Sequence, residues 1–383
     1  MLCLLQFLTH YRFLYCFMIG RYESQAIQRI VQDILSRNLK LLHVGDKLIG
    51  MERRLKEMAS LIHIDSNDVR MIGICGIDGI GKTTLAKVVY NKIVHQFDGA
   101  SFLLNISSQK TKTDLLQLQK QFLRDILGED IPTISDNSEG SYEIRRMFMS
   151  KKVLVVFDDV NYFDQLESLV QNRSTFGPGS RIIVTSRDKH LLVWLKVDAL
   201  YEAKELNCKE AIQLFSLHAF HMNSHKKGFK NLSRCIVDYC KGLPIALEVL
   251  GSLLFGKKKF EWKIVLQRLE KRPNMQIQNV LMRGFQTLDH YSKDVFLDVA
   301  CFFKGEDLDF VERILEYGCT GRRVLNDKCL ISIFDKKLLM HDLMQKAGWE
   351  IVREQYHNEP GKWSRLWDPE NVYHVLTTNT VRA

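Results

Sequence analysis

The chain has 383 residues, with 54 Lys and Arg against 45 Asp and Glu, so its net charge is +9. At about 150 residues per domain this length accommodates two or three domains, and 46% hydrophobic against 26% charged residues is a globular composition that excludes a disordered chain. Six prolines, where average usage gives roughly nineteen, exclude Pro-rich linkers and favour helix, and the mild positive charge permits an acidic partner without requiring one.

Residues 1–22 are dense in apolar side chains but interrupted by Gln6, His10 and Arg12. A membrane-spanning helix needs about 20 apolar residues with few charges. A secretory signal needs an early positive charge and a small-residue cleavage site. The stretch is therefore read as an apolar leader without function. The nine cysteines are odd in number and include no C-x-x-C pair. Most sit in apolar runs, where a thiol behaves as a small core residue, so a reducing compartment is expected and a disulfide scaffold is not.

Ile27, Ile30, Val31 and Ile34 recur at helical spacing, which predicts an amphipathic linker helix within 23–45. A Gly50 turn and a second helix follow. RMIGIC (70–75) is a short apolar run before glycines, a buried strand. Next come a helix over 82–94, a strand over 100–106 and a helix over 113–127 with Leu118, Phe122 and Ile126 on its apolar face. After a polar loop, 153–159 and 181–187 are two more apolar strands. Runs with little alternation fit a parallel sheet covered on both faces, and strands alternating with helices predict a doubly wound α/β domain. Beyond Glu205 the strands stop. Helices are predicted over 209–220, 229–240, 243–254 and 261–269, then over 292–303 and 308–317. A hairpin over 331–340 and a helix over 342–354 complete a winged-helix layout.

The strongest chemical signal is Gly76-Ile77-Asp78-Gly79-Ile80-Gly81-Lys82-Thr83, followed by Thr84. It matches G-x-x-x-x-G-K-[ST] between a strand and a helix, the context this phosphate-binding loop requires. Glycines let backbone N–H groups face phosphates and the helix N-terminus adds its dipole. Lys82 should reach the β-phosphate and any γ-phosphate, and Thr83 should hold Mg²⁺. Asp78 puts a negative charge inside that loop, which weakens binding unless it points to solvent. Asp158 and Asp159 end the apolar run VLVVF. This is a Walker B arrangement, in which Asp158 supports the Mg²⁺ shell and Asp159 orients an attacking water as a weak base. Arg187 ends the next strand, where a cation could sense a γ-phosphate.

In order, GIDGIGKTTLAKVVY, KKVLVVFDDVNYFDQLESL, GPGSRIIVTSRDKHLL, CKGLPIALEVLGS, FLDVACFFKGED and MHDLMQKAGWEIVRE resemble the NB-ARC domain of plant disease-resistance proteins, particularly the class with an N-terminal TIR domain. The resemblance covers about residues 23–375. It implies a P-loop NTPase of the STAND type over 46–204, a helical ARC1 subdomain over 205–278, a winged-helix ARC2 subdomain over 279–370, and over 371–383 the start of a linker toward leucine-rich repeats. It further implies an ADP/ATP switch in defence signalling, resting with ADP and hydrolysing ATP slowly at most. By similarity Ile49 and Gly50 would line the adenine pocket, Pro244 would pack on the nucleotide, and His341 of the MHD stretch would touch the ADP β-phosphate.

Departures are Asp78, where the family usually has Gly, and Thr185-Ser186-Arg187 for Thr-Thr-Arg. The chain shows no counterpart of the family's TIR domain or leucine-rich repeats, so a receptor fragment is expected. The implied setting is the cytoplasm, with the nucleus as a second compartment. Self-association or contact with other immune-receptor chains would be its protein partnerships, and neither nucleic acid nor membrane is expected. Two alternatives stay open. One is a P-loop transcription regulator that reads DNA with its winged helix, for which Arg322-Arg323 and the positive charge speak. The other is an inert fragment.

Overall fold

The computed structural model describes residues 41–380 except 46, 109–110, 129–130, 168, 170–172, 316–317 and 357–358. The expected leader and the linker helix up to residue 40 lie outside the described residues, and 41–45 carry no helix. The first half alternates α1 (Met51–Ile62), β1 (Arg70–Cys75), α2 (Lys82–Ile93), β2 (Gly99–Leu103), α3 (Lys112–Leu127), α4 (Asn137–Phe148), β3 (Val153–Phe157), α5 (Phe163–Glu167), β4 (Arg181–Ser186), α6 (Lys189–Trp194) and β5 (Ala199–Glu202).

The strands form one sheet in the order β2-β3-β4-β1-β5, and every pairing is parallel. The pleat sends alternate side chains to opposite faces, so both sets in each strand must be apolar. Ile72, Ile74, Leu154, Val156 and Ile183 pack with α1 and α2 on one face. Met71, Val153, Val155, Phe157, Ile182 and Val184 pack with α3, α4 and α6 on the other. Strand β2 ends at Leu103, short of residue 106, because Ile106–Ser108 turn into a 3₁₀ helix.

Several elements depart from the sequence reading, the short helices α5 and α6 among them. The polar stretch before β3 contains a helix, α4, started by the Asp136 side chain, which accepts from the N–H groups of Ser138 and Glu139. The edge strand β5 is an addition to the predicted strands.

The second half is α7 (Cys208–Phe220), α8 (Lys230–Cys240), α9 (Pro244–Leu254), α10 (Lys259–Lys271), α11 (Met275–Leu281), α12 (Arg283–Gln286), α13 (His290–Asp298), α14 (Leu308–Ile314), α15 (Gly318–Asp327), the hairpin β6 (Ser332–Phe334) and β7 (Lys337–Leu339), α16 (Asp342–Gln355) and α17 (Pro369–Thr378). One continuous core runs through these elements. It includes Phe215, Leu247 and Trp262 of the helical segment, Phe296, Leu338 and Leu343 of the winged-helix segment, and Ile80 of the phosphate loop. The loop is thus packed into the hydrophobic centre of the second half.

The helix after Asp298 widens into a π-turn over Val299–Phe303. Such a turn leaves carbonyls in need of other partners. The Ala300 carbonyl accepts from Gln345 Nε2 and Trp349 Nε1 of α16, each at 2.9 Å, which locks α16 onto the turn. The winged-helix segment also reaches the sheet. Lys328 Nζ pairs with Asp188 at 3.2 Å, and buried Cys329 meets Cys75 at the end of β1, a contact that together with burial pushes the Cys75 thiol pKa up.

Candidate nucleotide site

The loop between β1 and α2 bends where glycine permits it: Gly79 has φ +80° and Gly81 φ +95°. Lys82, the first residue of α2, is buried, and its Nζ donates to the carbonyls of Gly76 (2.7 Å) and Ile77 (3.1 Å). Its ammonium therefore lies in the curl of the loop. Thr83 Oγ1 donates to Asp158 Oδ1 at 2.8 Å, and Thr185 Oγ1 donates to the same oxygen at 2.7 Å. Asp158 is fully buried, and its Oδ2 has no hydrogen-bond partner. Burial raises its pKa, opposed by the two hydroxyls and increased by neighbouring Asp159. An unpartnered carboxylate oxygen beside a threonine hydroxyl is a hard-oxygen donor set that fits Mg²⁺.

Asp159 takes a left-handed conformation (φ +54°) that turns the chain out of the sheet. Its N–H donates to Thr185 Oγ1 at 2.8 Å and its carboxylate accepts from Ser107 Oγ. Arg187, just past β4, donates from Nη2 to Asp159 (3.1 and 3.2 Å) and from Nη1 to Asp78 Oδ2 (3.1 Å). Asp78 does not point to solvent: its Oδ1 also lies 3.7 Å from Lys82 Nζ.

These residues border a cavity of about 280 Å³. Ile49, Gly79, Gly81, Lys82, Thr83, Thr84, Asp159, Arg187 and Pro244 all line it. Gly50, Gly76, Ile80 and Asp158 are not part of the lining. Gly50 begins α1 and Ile80 is in the core. His341 is also outside the lining and caps α16, its Nδ1 accepting from the Leu343 N–H at 3.2 Å. The lining adds residues that the sequence did not single out. Arg54 of α1, almost fully buried, donates to the carbonyls of Ile80 (3.3 Å) and Lys204 (2.7 Å) and so braces the loop. Leu206 and Leu214, Ile245 and Glu248, and Val280 and Arg283 close the far wall. Ile245 and Glu248 lie in the stretch CKGLPIALEVLGS, yet only Pro244 of it stands out chemically, and Leu214, Val280 and Arg283 read as ordinary helix positions.

The wall from α9 is tied directly to the loop. The Ile245 N–H donates to the Gly79 carbonyl at 3.2 Å. A Cβ on Gly79 would stand 2.2 Å from Ile245 Cγ2. Gly79→Ala should therefore destabilise the fold by about 1–3 kcal/mol, since it combines strain at positive φ with overpacking. A urea titration read by fluorescence would check this, and an unchanged midpoint would show that α9 does not press on the loop.

His341 Nε2 is buried without a hydrogen-bond partner. Burial lowers its pKa, while the carboxylates of Glu205 and Asp342 pull the other way. An unfolded histidine takes a proton near pH 6.5, so the unfolded chain binds more protons just below that value. The stabilising contribution is complete above it and is lost as pH falls toward the depressed folded value. Between about pH 7.5 and about pH 5.5 the wild type should lose more thermal stability than His341→Gln. Parallel losses would remove His341 from the account.

Arg322, part of the basic pair considered for DNA, forms an ion pair with Glu312 at 2.7 Å within the winged-helix segment. Among the described residues no helix is long and apolar enough to cross a membrane.

Residues 51–225 match the NB-ARC domain model, and residues 289–356 match the winged-helix domain of Roq1-like disease resistance proteins. The chain is 47% identical over 362 residues to disease resistance protein RUN1 of Vitis rotundifolia, covering 93% of this chain and 27% of that protein. It is 37% identical to TMV resistance protein N of Nicotiana glutinosa, covering 94% and 32%. It thus spans about a quarter to a third of the length of these relatives. Among solved structures, the Walker-type ATPase PABY2304 of Pyrococcus abyssi shares the fold at a TM-score of 0.57 and 12% identity, covering 82% of this chain and 99% of that one.

Proposed function

We propose, for a chain that belongs to the NB-ARC family through residues 51–225 and to the Roq1-like winged-helix family through residues 289–356, that it is the adenine-nucleotide switch of a plant immune receptor. The observation that carries this reading is the composition of the cavity. Its lining comes from the phosphate loop, the segment leading into α1, the helical segment at Pro244 and Glu248, and Arg283 at the border of the winged-helix segment. A ligand held by several segments at once can bias how they pack, so the identity of that ligand can set the conformation of the whole.

In this reading the loop N–H groups and Lys82 hold the β-phosphate, and Ile49, Gly50 and Pro244 flank the base. Thr83 and Asp158 would hold Mg²⁺, which neutralises phosphate charge when bound. Asp159 positions water, and hydrolysis is slow at most, because Asp159 is already held by Arg187 and Ser107. His341 senses the β-phosphate from ARC2. The domain division of 46–204, 205–278 and 279–370 is part of the proposal, with the last two sharing one core. ADP is the resting ligand, and other immune-receptor chains or further copies are its partners in the plant cell.

The test is to purify the full chain, release any bound nucleotide with acid and identify it by chromatography, then titrate with a fluorescent ADP. Adenine nucleotide recovered near one per chain, displaced by ADP and not by GDP, is the expected result. No recovered nucleotide and no binding at millimolar ADP would overturn the reading.

A further inference from the structure

Asp78 lies between Lys82 and Arg187, two of the basic residues that line the cavity. Its Oδ2 is 3.1 Å from Arg187 Nη1 and its Oδ1 is 3.7 Å from Lys82 Nζ. The three side chains are only 8–13% exposed, so water screens these charges weakly. Arg187 is engaged on both arms, because Nη2 donates to both oxygens of Asp159. The two carboxylates therefore surround and neutralise the cation that stands at the end of β4.

We propose that Asp78 is a specificity-determining residue, an internal counter-ion that sets the site against nucleoside triphosphates and in favour of diphosphates. The inference rests on the nucleotide-switch reading above. A diphosphate can be held by the loop N–H groups and Lys82. A third phosphate extends toward Arg187 and meets Asp78 and Asp159 there. To reach the guanidinium it must displace one carboxylate and accept the repulsion of both. The discrimination arises from one loop side chain and needs no change in the base pocket.

The experiment is calorimetric titration of the full chain with ADP and with a non-hydrolysable ATP analogue, both with Mg²⁺. The variants are Asp78→Asn, Asp78→Gly, Arg187→Ala and Asp78→Asn combined with Arg187→Ala. Asp78→Asn should tighten the triphosphate roughly tenfold, the scale of a single charge-assisted hydrogen bond, and change the diphosphate by less than about threefold. Asp78→Gly, which removes the side chain and leaves the loop free to adopt its bend, should shift the ratio in the same direction. In the Arg187→Ala background the tightening should shrink, since the cation released by the substitution is gone. Equal tightening of both nucleotides, weaker triphosphate binding, or undiminished tightening without Arg187 would each overturn the proposal while the nucleotide site stands. If wild type and Asp78→Asn both bind neither nucleotide, the switch reading fails and this inference falls with it.

Discussion

Replacing Lys82 by alanine should weaken adenine-nucleotide binding by about 100-fold or more, corresponding to the loss of one or two charge-assisted hydrogen bonds at about 1.5–3 kcal/mol each. Two of the other basic residues at the cavity are already engaged. Arg187 is held by two carboxylates, and Arg54 donates to loop and strand-end carbonyls. The substitution also removes a strut, because Lys82 Nζ bonds the Gly76 and Ile77 carbonyls from inside the loop. Thermal melting separates the two effects: the melt should move only slightly, since both carbonyls can reach water once the side chain is gone. The decisive measurement is nucleotide content and ADP affinity of the purified variant. Unchanged values would mean that the curl of the loop does not hold phosphate.

Much of this site is legible in the sequence for a physical reason. A phosphate cradle needs a fixed local geometry, so its residues stay contiguous: Gly79, Gly81, Lys82 and Thr83 can be assigned from spacing alone, and all line the cavity. The four strands read from apolar runs are all central or well covered, which is why their alternation is lost and their runs stand out. The edge strand β5 has only four residues, Ala199–Glu202, and Tyr201 alone is buried, so no hydrophobic run marks it. Helix α4 is hidden by Ser138, Gly140 and Ser141, residues that read as loop until Asp136 is recognised as its cap.

The far wall of the cavity is the least legible part. Leu214, Glu248, Val280 and Arg283 come from elements that meet only in the folded chain. Sequence periodicity assigns such residues to a helix face without saying what that face meets. Arg54 belongs here too, since a basic residue in an amphipathic helix reads as solvated unless its burial is known. Asp78 is the opposite case. Its charge is conspicuous in the sequence, and only the geometry shows that it is spent on Lys82 and Arg187.

Arg181→Met should produce the largest loss of stability, about 3–5 kcal/mol, the scale for breaking a buried hydrogen-bonded charge. Arg181 is the first residue of β4 and is fully buried. Its Nε donates to the Ile62 carbonyl at 2.7 Å. Nη1 donates to the carbonyls of Asp68 (2.7 Å) and Ser180 (2.9 Å), and Nη2 donates to those of Ser66 (2.9 Å) and His63. The guanidinium therefore satisfies the last carbonyls of α1 and the turn that carries the chain into β1, groups that a helix end cannot satisfy itself. Burial lowers the arginine pKa, with the carboxylate of Asp68 opposing the shift, and the group stays charged at any physiological pH. Methionine fills most of the volume and supplies no donor, so five carbonyls lose the guanidinium at once, those of Ser180 and His63 keeping the N–H groups of Arg70 and Ser66. Because α1 also carries Arg54 to the phosphate loop, loosening its end should weaken nucleotide binding as a secondary effect. The control is Arg173→Met. Its ion pair with Asp198 is as short, at 2.6 Å, but the side chain is 40% exposed, and an exposed pair contributes about 0–1 kcal/mol. Urea unfolding of both variants tests the contrast. A midpoint shift for Arg181→Met no larger than for Arg173→Met would mean that the end of α1 does not depend on the buried guanidinium, and the link from β4 through α1 to the loop would fail with it.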